Sequence, residues 1–471
     1  MGGQGITVKR PSEELAQWRS KKARTPHIIV GCFLLLIAVG TLLLLLPFAI
    51  AEGQHTSFLT ALFTATTSVC VTGLVVVPTY IHWSLFGKIV ILFLIQFGGF
   101  GMVTLASFLL SVFKRRYSLR FMMLVQENFN LDSMVGLPTF TKRVVKDVFI
   151  IEFIGALLCM VRFIPLYGVG RGIWYSVFHA ISAFCNAGID ILGPDSLIPF
   201  RNDTYILVVT MALIILGGLG FIVWFDLWDK AKTAVKRKYG PFLYFRRLGE
   251  HSKAVLGMTT FLILLGAILV YVLERFNPDT LMGMSRWDRI VNSFFQSVTW
   301  RTAGFATIAQ ENLTDATAVL GLLFMFIGGS PVGTAGGVKT ITVLILFMNA
   351  VAFVRGRKNA VLHKRVISYM MIVKAAAVVA VSFMVTMIGI VLIIATNDLP
   401  AIAVLYEMFS ATGTVGLSQG LTASLNAFGR VVVIFSMFLG RIGPITLVLF
   451  FEAGRSRKEG VTFAEGNFTV G

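Results

Sequence analysis

Ser410-Ala411-Thr412-Gly413-Thr414-Val415-Gly416-Leu417-Ser418 decides how the rest of the chain is read. It sits between two apolar segments, and its Thr-Val-Gly core alone would say little. The same register returns as Val71-Thr72-Gly73-Leu74, Asn186-Ala187-Gly188-Ile189 and Thr302-Ala303-Gly304-Phe305, with the four glycines 115, 116 and 112 positions apart. A constant long period marks a repeated architecture. Each copy places two polar or small residues before Gly and a large apolar residue after it. Each follows an apolar-aromatic stretch too short to span a bilayer: 58–67, 174–185, 290–300 and 402–412.

Glycine permits backbone angles that other residues resist, so successive carbonyls of one loop can face the same way. Four such loops about one axis would form a ring of oxygens able to replace the water around a cation, as in the carbonyl-lined filters of potassium channels. The expected lining is Val71, Thr72, Gly73, Asn186, Ala187, Gly188, Thr302, Ala303, Gly304, Thr414, Val415 and Gly416, with K+ as the bound ion.

Composition sets the solvent. The 471 residues are 56% apolar and 14% charged, with mean hydropathy +0.81. A soluble chain would carry about 25% charge. The net charge of +18 follows from the excess of Lys and Arg on cytoplasmic loops and does not indicate nucleic acid. Cys32, Cys70, Cys159 and Cys185 lie in apolar segments or in the loops, without metal spacing.

The expected fold is all-α and integral to the cell membrane, with eight spans. Four tandem units of helix, pore loop and helix have pseudo-fourfold symmetry around a central pore. The units cover 28–113, 114–230, 231–354 and 355–453, flanked by cytoplasmic tails at 1–27 and 454–471. Spans are expected at 28–50, 83–113, 144–166, 205–228, 254–275, 316–353, 366–396 and 427–451. The tails and the connections 114–146, 230–253 and 355–365 hold 29 of the 41 Lys and Arg, which places both termini in the cytoplasm. The opposite connections carry Asp190, Asp195, Asp203, Asp279, Asp288, Glu311 and Asp315, an acidic rim that would concentrate cations.

A second repeat follows each loop by about 25 residues: Gly98-Gly99-Phe100-Gly101, Gly217-Gly218-Leu219-Gly220, Gly328-Gly329-Ser330-Pro331 and Gly440-Arg441-Ile442-Gly443-Pro444. In the first two, close helix packing is the expected role. The third continues through Gly333, Gly336, Gly337 and Lys339 to Thr340. Five glycines and a proline cannot hold a continuous helix, so this span is expected to break beneath the loops and to gate the pore. A phosphate loop is excluded, since Val338 stands where Gly must precede Lys. Arg441 lies in an apolar helix, at a cost of about 2.5–3.5 kcal/mol on insertion scales, and should face the interior. Arg301, inside the third loop segment, should turn away from the axis onto carbonyls or a carboxylate.

At these residues the chain resembles the KtrB/TrkH/HKT superfamily of potassium transporters over residues 28–453, and its eight expected spans match KtrB. The resemblance implies a channel-like potassium uptake subunit that forms a homodimer, together with a cytoplasmic ring of nucleotide-binding RCK subunits like KtrA. The chain carries no Rossmann fingerprint, so nucleotide would bind the ring and not this chain. Plant HKT proteins that carry Ser at the first filter glycine transport sodium, so Gly73 implies potassium. Na+ as activator or coupled ion stays open, and a less selective cation transporter is the alternative. An alternating-access carrier usually shows inverted repeats, whereas these repeats run parallel. No nucleophile–base pair supports an enzyme.

Overall fold

The computed structural model describes residues 25–101 and 137–443, with side chains from 30 and 140 onward in the two stretches. Nearly all of the 1–27 tail, most of the first basic connection, and everything after Gly443, including the 454–471 tail, lie outside them.

Apolar runs in lipid must satisfy their own backbone, which favours helix, and nearly all the regular structure described is helical. Apart from a single turn at Thr79–His82, the α-helices described are α1 (Thr25–Leu44), α2 (Phe58–Val69), α3 (Leu85–Gly99), α4 (Leu137–Tyr167), α5 (Val169–Cys185), α6 (Thr204–Leu219), α7 (Phe221–Arg237), α8 (Pro241–Arg246), α9 (Glu250–Glu274), α10 (Arg286–Thr299), α11 (Asp315–Phe326), α12 (Thr340–Val354), α13 (Tyr369–Thr396), α14 (Ala401–Gly413) and α15 (Ala427–Ile442). A two-stranded hairpin, β1 (Val361–Leu362) and β2 (Arg365–Val366), joins α12 to α13. Side-chain caps fix the helix starts: Ser57, Ser84, Asp203, Ser285, Thr314 and Asn426 each accept a bond from an amide three residues on.

Among the described residues three helices are long and apolar enough to cross a membrane, at 140–167, Glu250–Glu274 and Tyr369–Thr396, or four if the bent pair α6 and α7 is one span. Their outward surfaces, like those of α3, α12 and α15, expose Phe93, Phe153, Phe261, Phe347, Met384 and Phe435. So large an apolar surface suits lipid, not water. Inside, one buried cluster gathers Phe33, Phe163, Phe178, Phe184 and Phe295. A second gathers Phe63, Trp300, Met325, Tyr406 and Met408.

The expected continuous span 205–228 is instead two helices. The chain turns by 100° between α6 and α7. Gly220 makes the turn at φ +89°, where a methyl group would also lie 2.4 Å from the Pro331 carbonyl. The next amide, Phe221 N, donates to Val332 O at 2.9 Å. The second glycine knot therefore both packs and bends. The expected break in 316–353 occurs between Phe326 and Thr340.

Candidate functional site

α2, α5, α10 and α14 all stop just before the four repeated segments. In each segment the residue two before the glycine is left-handed: Val71 φ 53°, Asn186 φ 59°, Thr302 φ 69° and Thr414 φ 53°. The glycines follow at φ 100°, 64°, 83° and 95°. β-Branched residues rarely adopt such angles, and each costs on the order of 1–3 kcal/mol unless its surroundings hold it. Here the helix ends supply the hold. Thr72 N donates to Thr67 O (2.8 Å), Ala187 N to Ser182 O (2.8 Å), Ala303 N to Thr299 O (3.0 Å) and Val415 N to Ser410 O (2.8 Å). Hydroxyls add to it. Thr67 and Ser410 accept from Gly73 N and Gly416 N, each at 3.0 Å. Ser182 donates to Ile189 O at 2.5 Å and Thr299 to Phe305 O at 2.6 Å.

The four segments close on one another in chain order. A methyl built on Gly73 would lie 2.5 Å from Ala187 O, one on Gly188 2.6 Å from Ala303 O, one on Gly304 2.6 Å from Val415 O, and one on Gly416 2.2 Å from Thr72 O. Each glycine thus abuts the carbonyl before the next glycine, and the fourth returns to the first. Among the described residues, none of the twelve carbonyls from Val71–Gly73, 186–188, 302–304 and 414–416 accepts a hydrogen bond. The hydroxyls of Thr72, Thr302 and Thr414 are also buried without a partner. Buried carbonyls are ordinarily paired. Here the oxygens around the ring are left without a partner.

The glycine knots let the surrounding helices reach the ring. A methyl on Gly98 would lie 2.1 Å from Val69 O, one on Gly217 1.9 Å from Phe184 O, and one on Gly440 2.1 Å from Thr412 O. All three oxygens belong to the residue four before a ring glycine. In the third unit Gly328 instead meets the Gly336 carbonyl at 2.1 Å, inside the broken segment.

That segment is packed against the ring rather than loose. Ser330 N donates to Gly218 O (2.9 Å), Thr334 N to Gly217 O (3.1 Å), Gly328 N to Val338 O (2.9 Å) and Thr340 N to Gly329 O (3.1 Å). Thr334 Oγ1 donates to Phe184 O at 3.1 Å, and a methyl on Gly336 would strike Thr414 Oγ1. Val332 is left-handed beside Pro331, while Gly333 packs on the Gly217 carbonyl. Lys339 Nζ folds back to Ala335 O at 2.6 Å. Arg441, 8% exposed, donates to Thr334 O from one terminal nitrogen and to Gly98 O from the other. It ties the segment to α3 and uses its charge on carbonyl dipoles.

Arg301 is buried and turns from the ring toward α9. Its partner is the Thr259 hydroxyl at 3.4 Å, not the expected carbonyl or carboxylate. The acidic residues differ in role. Asp203 pairs with Arg162 and caps α6. Asp288 pairs with the Ser285 cap, and Asp195, Asp279, Glu311 and Asp315 are exposed. Asp190, two residues beyond Gly188, accepts from Leu192 N at 3.3 Å. Burial pushes its carboxyl up to about 6, against the opposing effect of hydrogen bonds from Ser196 and the backbone.

Two further buried groups brace the ring. Glu407 of α14 accepts from Ser418 Oγ at 2.6 Å and Thr422 Oγ1 at 2.5 Å, clamping the fourth segment from behind. Trp300 Nε1 donates to Tyr406 OH at 3.2 Å, Tyr406 OH to Gln310 Oε1 at 2.8 Å, and Gln296 Nε2 to the same oxygen at 2.8 Å. A carboxylate in an apolar helix is the same signal that singles out Arg441, so Glu407 was findable. The second network joins residues too distant in sequence to be paired by pattern.

The family described as TrkH, cation transport protein, matches residues 11–458. The potassium/sodium uptake protein NtpJ of Enterococcus hirae is 37% identical over 94% of this chain and 96% of its own length. The Ktr system potassium uptake protein B of Bacillus subtilis is 36% identical over 95% and 96%. The crystal structure of the potassium transporter TrkH from Vibrio parahaemolyticus superposes with a TM-score of 0.69 at 19% identity, covering 92% of this chain and 86% of that one. A helical membrane protein with these matches belongs to the TrkH family of cation transport proteins.

Proposed function

We propose that this chain is the ion-translocating subunit of a potassium uptake system. In this reading the four helix–loop–helix units surround one pore, and Gly73, Gly188, Gly304 and Gly416 are the centres of its selectivity filter. The observation that carries it is the closure of the four glycine segments on one another, whose twelve carbonyls accept no hydrogen bond among the described residues. Such oxygens can take the place of a hydration shell around K+. The C-terminal ends of α2, α5, α10 and α14 lie next to the ring, so their dipoles favour a cation there. The membrane potential supplies about 2.3 kcal/mol per charge per 100 mV for inward movement. Below the filter the ion meets the 328–339 segment and Arg441, which together form the gate.

The relatives named for Ktr systems support a multi-component assembly. In this reading the chain forms a homodimer that meets a cytoplasmic nucleotide-binding ring, with both termini on the cytoplasmic side. The name of the Enterococcus relative keeps sodium in play, and the second broken helix, at Gly220, is a feature shared with coupled carriers. The alternative is therefore a sodium-coupled or less selective cation transporter.

Purified protein in potassium-loaded vesicles tests the reading. Cation flux is expected to follow the imposed potential, with K+ favoured over Na+ and no need for Na+ on either side. Flux that requires Na+ would support the alternative, and absence of cation flux in well-folded protein would remove both.

A further inference from the structure

The basic residues around 230–253 have no place in the pore, and the structure puts them at a definite depth. Two ion pairs fix the scale on α4: Arg162 with Asp203 at the start of α6, and Arg143 with Asp229 of α7. Nineteen helical residues separate the two arginines, about 28 Å, close to the roughly 30 Å of a bilayer's hydrocarbon core. Between them α4 exposes apolar residues from Phe149 to Val161. On this scale Arg143 stands at the edge of the hydrocarbon core, where the headgroups begin. Asp229 holds α7 at that level, and Arg143 stacks 4.2 Å from the Phe225 ring. Because α7 leaves α6 at 100°, it runs along the headgroup layer.

The face that α7 and α8 turn away from the protein suits that layer. Trp228, Lys232 and Val235 stand at helical spacing on one side of α7, with Trp228 62% and Val235 80% exposed. Lys232 Nζ lies 5.7 Å from the Trp228 ring. On α8, Phe242 is 81% and Phe245 58% exposed. Around them Lys230, Lys236, Arg237, Lys238, Arg246 and Arg247 are exposed, and of the two acids on α7 Asp229 is paired with Arg143 while Asp226 accepts from Gly249 N. Aromatic anchors ringed by cations on helices in the membrane plane are the pattern of interfacial binding to anionic lipid.

We propose that α7 and α8 form a binding surface for anionic lipid, with Trp228, Phe242 and Phe245 set among the acyl chains and Lys232, Lys236 and Arg246 on headgroup phosphates. The surface connects directly to the ring. α7 begins at Phe221, whose amide holds Val332 of the broken segment, so lipid bound to α7 bears on that segment.

The test uses the full chain in two sets of nanodiscs brominated near the headgroup at the same mole fraction, one with the bromine on phosphatidylcholine alone and one with it on phosphatidylglycerol in a phosphatidylcholine background. The quenching lost on Trp228→Phe isolates the signal of Trp228 from the other tryptophans. That signal is expected to fall by about twofold when brominated phosphatidylglycerol is present, and the effect should weaken in high salt. The combined Lys232→Gln, Lys236→Gln, Arg246→Gln variant should lose the dependence on phosphatidylglycerol while eluting as folded protein. Phe242→Ser with Phe245→Ser, a second variant with every cation intact, should reduce quenching in both lipids. Equal quenching with and without phosphatidylglycerol, or a dependence untouched by removing the cations, overturns the proposal. So does Trp228 staying unquenched in lipid yet becoming shielded on addition of a soluble protein partner.

Discussion

Gly416 closes against Thr72: a methyl group on the first would lie 2.2 Å from the carbonyl oxygen of the second, across the join between the last unit and the first. At φ 95° a side chain there is strained as well as crowded. Gly416→Ser should therefore displace Thr72 O and open the ring. Strain of about 1.4 kcal/mol is already tenfold in a rate or equilibrium, so a tenfold loss of K+ over Na+ discrimination is the expected minimum. Flux ratios in vesicles for Gly73→Ser, Gly188→Ser, Gly304→Ser and Gly416→Ser check it. Unaltered ratios in all four folded variants would remove the filter from these positions.

Arg441 holds Thr334 and Gly98 through their carbonyls. Its replacement by Ala frees the broken segment and removes a positive charge from the ion's path. At about 6 Å and an effective dielectric near 20, that charge opposes a cation by roughly 3 kcal/mol. The increase in flux is thus bounded at about a hundredfold, with Arg441→Lys in between. Lower flux from Arg441→Ala at normal expression would make the residue a support for the open pore, not a barrier.

The knots make a prediction about assembly. A methyl on Gly217 would lie 1.9 Å from Phe184 O, and one on Gly440 2.1 Å from Thr412 O. Backbone cannot yield as a flexible side chain does, and overpacking a tight contact costs typically 1–3 kcal/mol. Gly217→Ala and Gly440→Ala should lower the thermal midpoint of the purified protein. Gly257→Ala, where no atom lies within 4 Å of the added carbon, should not.

Much of this was legible because the chain repeats itself. The 112–116-residue period located all four ring glycines, and Gly328 through Gly337 announced a break, since no helix tolerates that composition. The bend at Gly220 was not legible. One glycine in an apolar run costs a helix only about 1 kcal/mol, and the turn depends on Val332 and Pro331, more than a hundred residues away. The left-handed angles of Val71, Thr302 and Thr414 also escaped, because local preference opposes them and only bonds to the helix ends hold them. The polar brace behind the ring joins Trp300 to Tyr406, 106 positions apart, a distance over which periodicity carries no information.

That brace is testable. Tyr406→Phe keeps the ring volume but leaves Trp300 Nε1 without its acceptor and takes a donor from Gln310. A buried polar group left unpaired costs about 1–3 kcal/mol. The variant should fold with a lower midpoint and discriminate K+ from Na+ less well, since the third and fourth segments lose a shared anchor. A lower midpoint with unchanged discrimination would make the network a matter of stability alone.

Asp190 gives the pH dependence. Its carboxyl, pushed up to about 6 by burial, is ionised at neutral pH and becomes neutral as pH falls through 6. It stands two residues beyond Gly188. Ser196, whose hydroxyl it engages, also accepts from Ala306 N at 3.3 Å, two residues beyond Gly304. Losing a negative charge near the ring removes attraction on the order of 1 kcal/mol, or about fivefold in entry. Inward K+ flux should therefore fall by about that factor between pH 7.5 and 5, and more steeply at low ionic strength, where screening is weakest. Asp190→Asn should show the low flux at every pH and a flat profile between these limits. A variant that keeps the wild-type decline would assign the titration to another group and leave Asp190 as a support for the mouth of the second and third segments.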